Sequence, residues 1–452
     1  MPIELDPSFP RAGWASQKGV AGEIRGAILA AGLGRRMEPL TARYLPKPLF
    51  PLGGKLPIAE VWVRRMVASG ITDLTMNLCV LKETLKAHFG DGAGLGAHIA
   101  YVEEDVPSGT LGGVCKQALG AEAKPVRDGE PMPALAAFAG STLIVPSGDI
   151  VTNFGPDLLA EMHDLHRRAG AALSMVLVPV PWERRKDYGT VVLDRPDRRP
   201  GALAQSGRIG EFREKDPGSP SNLNNASIYM VEMELLKTVD PLRTEARADA
   251  AVPFYDFGKH LFPAMLGRLA HITLPKDFLL WGVEYDGAWF DVGQKRDYLR
   301  VNEEILDGRL DAELPYERTP WGYRGNDVAI DLSRVRIVPP VVLGNGCAVE
   351  PGATLGPYAV IGDGWTLEAG CRVRNSVLWE RYAVWNDDGG ESPLADRERL
   401  DPHRVGRGVT VAESIIAGGD LRADVIEQTV GTLADGELEV LPIDWVPSGP
   451  RA

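Results

Sequence analysis

Cysteine is scarce in this sequence, four residues in 452, and none of Cys79, Cys115, Cys347 and Cys371 forms a C-x-x-C pair. Spacings that hold zinc or run dithiol chemistry are therefore absent, and reduced thiols in a cytoplasmic protein are expected. No apolar run approaches bilayer length, and the opening MPIELDPSFPRAGWASQKGVAGE has no apolar stretch of signal-peptide length. The first 22 residues read as a loose polar extension. Basic clusters are missing too. A formal net charge of −13 argues against a nucleic-acid partner, whose phosphates require grouped Lys and Arg. Anionic small molecules remain open as substrates wherever a few cations converge.

With 44% hydrophobic residues, the chain can bury a core and divide into two domains. RGAILAAG, DLTMNLCV, HIAYVEE, STLIVPSGD and ALSMVLVPV read as buried strands. Between them PIAEVWVRRMVASG, KETLKAHFG and LLAEMHDLHRRAG carry helical spacing. Such alternation predicts a mostly parallel sheet with helices on both faces. An Ala/Pro-rich stretch, 121–140, reads as an inserted loop.

From Ile337 the period changes to six: IVPPVV, LGNGCA, VEPGAT, LGPYAV, IGDGWT, LEAGCR, VRNSVL. Each hexad opens on an aliphatic residue, and Gly or Pro often follows. Seven hexads in register predict short strands turning the corners of a triangular parallel β-helix. The fifth positions, Cys347, Ala353, Ala359, Trp365, Cys371 and Val377, are expected to face inward and be small, with Trp365 the misfit. A charged excursion, 380–404, interrupts the coil before Val405 and Val411 resume it.

The stretch AILAAGLGRRMEPLT ends a strand in glycines and places arginines behind them. Backbone amides of a Gly-rich turn suit phosphate. The dinucleotide fingerprint fails because Met37 stands where its last glycine belongs, and no Walker GK[ST] ending follows. Instead LAAGLGRRMEPLT…LPKPLFPLGGKLPIAE resembles the N-terminal signature of sugar-1-phosphate nucleotidylyltransferases. Arg35 stands where that family has Thr or Ser, and Met37 where it has Leu. VPSGTLGGV resembles the family's nucleobase loop, TLIVPSGDI its strand ending in GD, FREKDPGSPSNLNNASIYM its EKP…NAGIY segment, and AWFDVGQKRDYLRVNEEIL its DVG segment. Ser227 replaces the usual glycine. The resemblance runs from Gly26 to about Leu306, and many members carry a hexapeptide coil behind it.

The resemblance implies a Rossmann-like α/β domain at 23–310, a linker at 311–330, a left-handed parallel β-helix at 331–440 and a tail at 441–452. It implies attack of a sugar 1-phosphate on a nucleoside triphosphate, with Mg²⁺ held by Asp149 and Asp291. Arg36, Lys47, Asp149, Lys215 and Asp291 are the expected catalytic residues. Ala30, Ala31, Gly32, Gly34, Arg36, Gly109 and Thr110 would hold the nucleotide. Gly189, Glu214, Lys215 and Asn225 would hold the sugar, Gly189 because a side chain there would collide with it. Outside these motifs, aspartates at strand ends are ordinary turn residues and lone lysines are solvated. The PKP form leans toward mannose-1-phosphate guanylyltransferase-like members; glucose 1-phosphate with ATP, UTP or dTTP is the alternative, and a non-catalytic nucleotide-sugar-binding homologue a further one. A homo-oligomer built through the coil is expected, with no membrane partner.

Overall fold

The computed structural model describes residues 24–119, 123–124, 142–198, 201, 203–248, 256–269, 272–380, 403–432 and 438–447. The 1–22 extension, the 121–140 insertion apart from the strand Ala123–Lys124, and nearly all of the 380–404 excursion lie outside these residues.

Ten strands form the main sheet: β1 (Ile24–Leu29), β2 (Asp73–Leu78), β3 (His98–Glu103), β4 (Ala123–Lys124), β5 (Thr142–Pro146), β6 (Ala171–Pro179), β7 (Gly189–Arg198), β8 (Leu203–Glu214), β9 (Leu223–Glu232) and β10 (Leu279–Tyr285). Their order is β7-β8-β10-β6-β9-β5-β1-β2-β3-β4. β4, β8 and β9 run against the others, so the sheet is mixed but mostly parallel. Neighbouring residues of one strand enter opposite cores, Ala27 on one face and Ile28 on the other. That two-sided burial explains why the strands read as continuous apolar runs.

Helices Ile58–Ala68, Pro156–Ala169 and Lys295–Leu306 cover one face through Trp62, Met162 and Val301. Gly109–Leu119 and Met233–Ala248 cover the other through Leu111, Val114 and Leu236.

Beyond the sheet, successive short strands are dealt in rotation to three parallel sheets. Val341 pairs with Ala359, Ala348 with Thr366 and Thr354 with Arg372, each three hexads on. After the interruption Leu367 pairs with Val405 and Val373 with Val411, so the coil resumes in register. The stretch 311–330 already contributes strands, Gly322 pairing with Val341 and Ala329 with Ala348. Leu438–Pro442 turns back along Gln428–Thr432.

Two hexad expectations need correction. The last hexad is one residue short, because Ala359 pairs with Ser376 and Ile361 with Leu378. Asn375, in the left-handed region at φ 44°, makes the tighter corner. Val377 therefore leaves the coil interior and joins Val342, Val360 and Ile415 in the core shared with the main domain. Trp365, the misfit by size, is fully buried inside the coil. Its indole N–H donates to Trp379 O at 2.8 Å, and its ring meets the edge of His403.

Candidate active site

The order β3-β2-β1-β5 makes the chain leave β1 toward one side and return on the other. Beyond the carboxyl ends of β1 and β5 the loops separate, and such a switch point is where open α/β sheets bind ligands. The predicted loop residues converge there.

After Leu29 the chain turns through Ala30–Gly34. The Ala30 N–H donates to Asn77 Oδ1 at 2.8 Å. Gly34 sits at φ 60°, and a Cβ on it would lie 2.7 Å from the Thr41 methyl, so the turn demands glycine. Arg35–Met37 then forms one 3₁₀ turn. Met37 is fully buried, which makes it a volume-conserving stand-in for leucine. Arg36 points outward along the cleft, beside Gly293 and Asp291, with no hydrogen bond or ion pair among the described residues. The Arg35 Nε has no partner either.

Asp149 lies just past β5, and Asp291 ends the short strand Trp289–Asp291, which pairs antiparallel with Ile150–Thr152. That ribbon brings the two carboxylates together. Lys47 forms an ion pair with Asp149 and donates to Val292 O at 3.2 Å. Ser147 Oγ donates to the other Asp149 oxygen at 2.6 Å. Burial opposes ionisation of Asp149, but Lys47 and Ser147 hold it below the usual carboxylate range. Asp291 has no such hydrogen bond or ion pair among the described residues, and Lys47 and Arg36 offset its surroundings only in part. Burial, then the Asp149 charge, pushes it up to about 6.

Among the described residues no group of three or more His, Cys, Asp and Glu is placed to hold a metal ion. A pair of hard carboxylates, one of them without an ion pair, would nonetheless suit a divalent cation that completes its shell with water and substrate phosphates.

Two cavities adjoin this pair. A pocket of about 180 Å³ is lined by Ala30, Ala31, Gly32, Lys47, Gly109 and Asp149. A wider cleft of about 560 Å³ holds Arg36, Gly189, Glu214, Lys215, Asn225 and Asp291. Thr110 borders both, while its Oγ1 accepts the Phe257 N–H at 3.0 Å. Gly34 lies behind the turn and lines neither cavity. The expected nucleobase loop is a loop only through Ser108; from Gly109 it is a helix.

In the cleft, Gly189 is crowded by its own protein. A Cβ there would lie 2.7 Å from Phe212 Cζ and 2.9 Å from Glu214 Oε2. Burial, reinforced by Asp256, raises the Glu214 pKa against Lys215 and Lys259. Asn225 spends its amide internally: Nδ2 donates to the Tyr229 hydroxyl at 2.8 Å, and Oδ1 accepts the Ser227 N–H at 3.0 Å. Both brace a bulge where Ser227 adopts φ 57°, a conformation that favours the glycine this chain lacks. Lys215 shares it at φ 51°, its N–H donating to Tyr188 O at 2.9 Å.

Sequence reading missed Asn77, Glu104, Arg184, Lys186, Asp256 and Asp297, all of which line these cavities. The run PWERRKDYG placed Arg184 and Lys186 directly ahead of Gly189, a signal that was available. Asn77 and Glu104 sit at strand ends with no local mark.

Residues 25–308 match the family model described as nucleotidyl transferase. The UTP–glucose-1-phosphate uridylyltransferase of Synechocystis sp. is 30% identical over 79% of this chain and 83% of its own. The mannose-1-phosphate guanylyltransferase of Mycobacterium tuberculosis is 29% identical over 77% and 82%. The glucose-1-phosphate adenylyltransferase of Acetivibrio thermocellus is 24% identical over 86% and 88%.

Proposed function

The chain belongs to the nucleotidyl transferase family and is a sugar-1-phosphate nucleotidyltransferase, and from that premise we propose that it joins mannose 1-phosphate to GTP. One observation carries the transfer reaction itself: the Lys47, Asp149 and Asp291 cluster stands between two adjoining cavities, with Asp149 in the smaller and Asp291 in the larger. The smaller suits the nucleotide and the larger the sugar phosphate.

The sugar phosphate oxygen attacks the α-phosphorus in line, and the bond to the β-phosphate oxygen breaks to release pyrophosphate. Positioning and charge neutralisation carry such a reaction. Arg36, without a hydrogen bond or ion pair among the described residues, lines the larger cleft beside Asp291 and would meet the departing pyrophosphate from there. Lys215 approaches from the sugar side, and Glu214 accepts from sugar hydroxyls. Lys47, buried beside Asp149, keeps that carboxylate ionised and oriented. Mg²⁺ on Asp149 and Asp291 would neutralise triphosphate charge.

Mannose rests on the LPKPLFPLGG form of the motif. Glucose 1-phosphate with UTP is the second reading, favoured by the named activity of the 30%-identical relative. The test is pyrophosphate release across a grid of mannose, glucose, galactose and N-acetylglucosamine 1-phosphates against GTP, ATP, UTP, CTP and dTTP. One dominant pair names the product, and Asp149→Ala should abolish its formation. A blank grid with retained nucleotide binding would sink catalysis.

We take 23–310 as the catalytic domain and the three-sheet coil as a left-handed hexapeptide β-helix that assembles a cytoplasmic homo-oligomer. Supporting assembly, Leu438 and Val440 are exposed on the terminal strand of the long sheet, an edge that is apt for pairing. Light scattering of Val440→Lys beside the parent would test it.

A further inference from the structure

Part of the smaller pocket's lining is a line of side chains that the chemistry leaves unused. Ala30 N–H donates to Asn77 Oδ1, and Asn77 Nδ2 donates in turn to Glu104 Oε1, both at 2.8 Å. The second Glu104 oxygen accepts the Ser108 N–H at 2.6 Å and the Ser108 hydroxyl. The Glu104 side chain is fully buried, with the Lys116 ammonium 4.0 Å away as its counter-charge. Donor meets acceptor at every step, so neither end can shift without leaving a buried group unmatched.

The two ends of this line are the two walls of the pocket. Ala30 begins the turn toward Arg36, and Ser108 precedes Gly109 and Thr110. A second observation shows how tightly Asn77 is placed. A Cβ on Gly113 would come within 2.5 Å of Asn77 Nδ2, so the helix Gly109–Leu119 carries glycine at an interior position where it weakens helices.

We propose that Asn77 and Glu104 are positioning residues that fix the separation of the 30–32 turn and the 107–110 segment, where the loop enters the helix, and thereby set affinity for the nucleoside triphosphate. The inference rests on the reading of this pocket as the nucleotide site. It also assigns the Ala30 amide to Asn77, leaving the amides of Ala31 and Gly32 for phosphate.

The line has a direction, and that permits a swap. Glu104→Gln alone turns an amide N–H toward Asn77 Nδ2, donor against donor. Asn77→Asp alone sets two carboxylates face to face. Together, the carboxylate at 77 accepts from Ala30 and from the new amide at 104, whose oxygen still accepts from Ser108. Calorimetric titration of GTP and UTP, and separately of mannose 1-phosphate, is run on all four proteins with melting temperatures alongside. Each single variant should bind the preferred triphosphate about tenfold more weakly. The double variant should return to within about threefold, and mannose 1-phosphate affinity should move less than about twofold. Equal losses for both substrates, an additive double variant, or a change confined to melting temperature would overturn the proposal. A parent protein that binds no nucleoside triphosphate would overturn the reading of the pocket, and this inference with it.

Discussion

The Trp379 indole N–H donates to the Tyr298 hydroxyl oxygen at 3.0 Å, and Tyr298 donates in turn to Pro51 O at 2.5 Å. Trp379 belongs to the coil, Tyr298 to the last helix of the main domain and Pro51 to the segment following Lys47. Phe50 packs edge-on against both rings, with centroids 5.4 and 4.9 Å away. The coil thus grips the chain a few residues from Lys47. Tyr298→Phe keeps the ring but deletes the hydroxyl that serves both partners. Loss of buried hydrogen bonds of this kind should cost about 2 kcal/mol. Thermal unfolding of the variant against the parent reads this, and an unchanged melting temperature would show that the hydroxyl contributes nothing.

Acid should act on the Asp149 and Asp291 pair through Asp291. Its pKa, pushed up to about 6 by burial and then by Asp149, lies above the unfolded value of about 3.9. A raised carboxyl contributes stability that is complete below the unfolded value and is lost as pH climbs through the folded one. The metal-free chain should therefore lose this contribution between about pH 4 and about pH 6, and Asp291→Asn should flatten that slope in a melting series. A divalent cation must displace the same proton, so Mg²⁺ affinity should fall about tenfold per pH unit below about 6. Affinity independent of pH there would rule out a proton on Asp291.

Glycine at 189 protects the orientation of Glu214. In Gly189→Ala the added methyl meets Phe212 and the Glu214 carboxylate at distances that require one of them to move. The buried ring is confined, so the carboxylate is expected to yield. The KM for the sugar phosphate should rise about tenfold while that for the triphosphate stays within about twofold. Matching changes in both would mean that the methyl disturbs the whole cleft.

The fold was legible where the pattern is local. Alternating strands and helices mark the sheet, and the six-residue period marks the coil, because each arises from residues close in sequence. Asp149 was legible because a strand end and a motif coincide there. What failed has a common cause. Nothing in VRNSVL announces that the corner at Asn375 saves a residue and turns Val377 outward. Gly109 reads as loop, yet capture of Ser108 by Glu104 turns the chain into a helix. Asn77 and Glu104 meet only because β2 and β3 are neighbours, a fact of sheet order rather than of either strand.

The longest-range pairing yields the last prediction. Lys55, in the turn after the Phe50 segment, reaches across to Asp363 and to Glu380 of the coil, the latter at 3.5 Å. Asp363 also accepts from the Tyr316 hydroxyl and from Asn345 N, at 2.9 and 2.8 Å, which holds its carboxylate in place. Burial, opposed by Lys55 but reinforced by Asp363, pushes Glu380 up to about 8. Lys55→Met would leave two half-buried carboxylates without their cation. Breaking a fully buried pair from one side costs about 3 kcal/mol or more; at this half-buried site the loss should fall between that and the worth of a surface ion pair, about 1 kcal/mol or less. Glu380 contributes stability below its unfolded pKa of about 4.3 and loses it as pH rises through about 8. The destabilisation should therefore be larger at about pH 9 than at about pH 6, where a proton on Glu380 relieves the repulsion. Denaturant unfolding of Lys55→Met, Lys55→Arg and the parent at both pH values measures this. Lys55→Arg should stay close to the parent, because the pairing needs a cation at that place. A Lys55→Met deficit that does not change with pH would mean that lost packing of the lysine stem, rather than charge, is the cause.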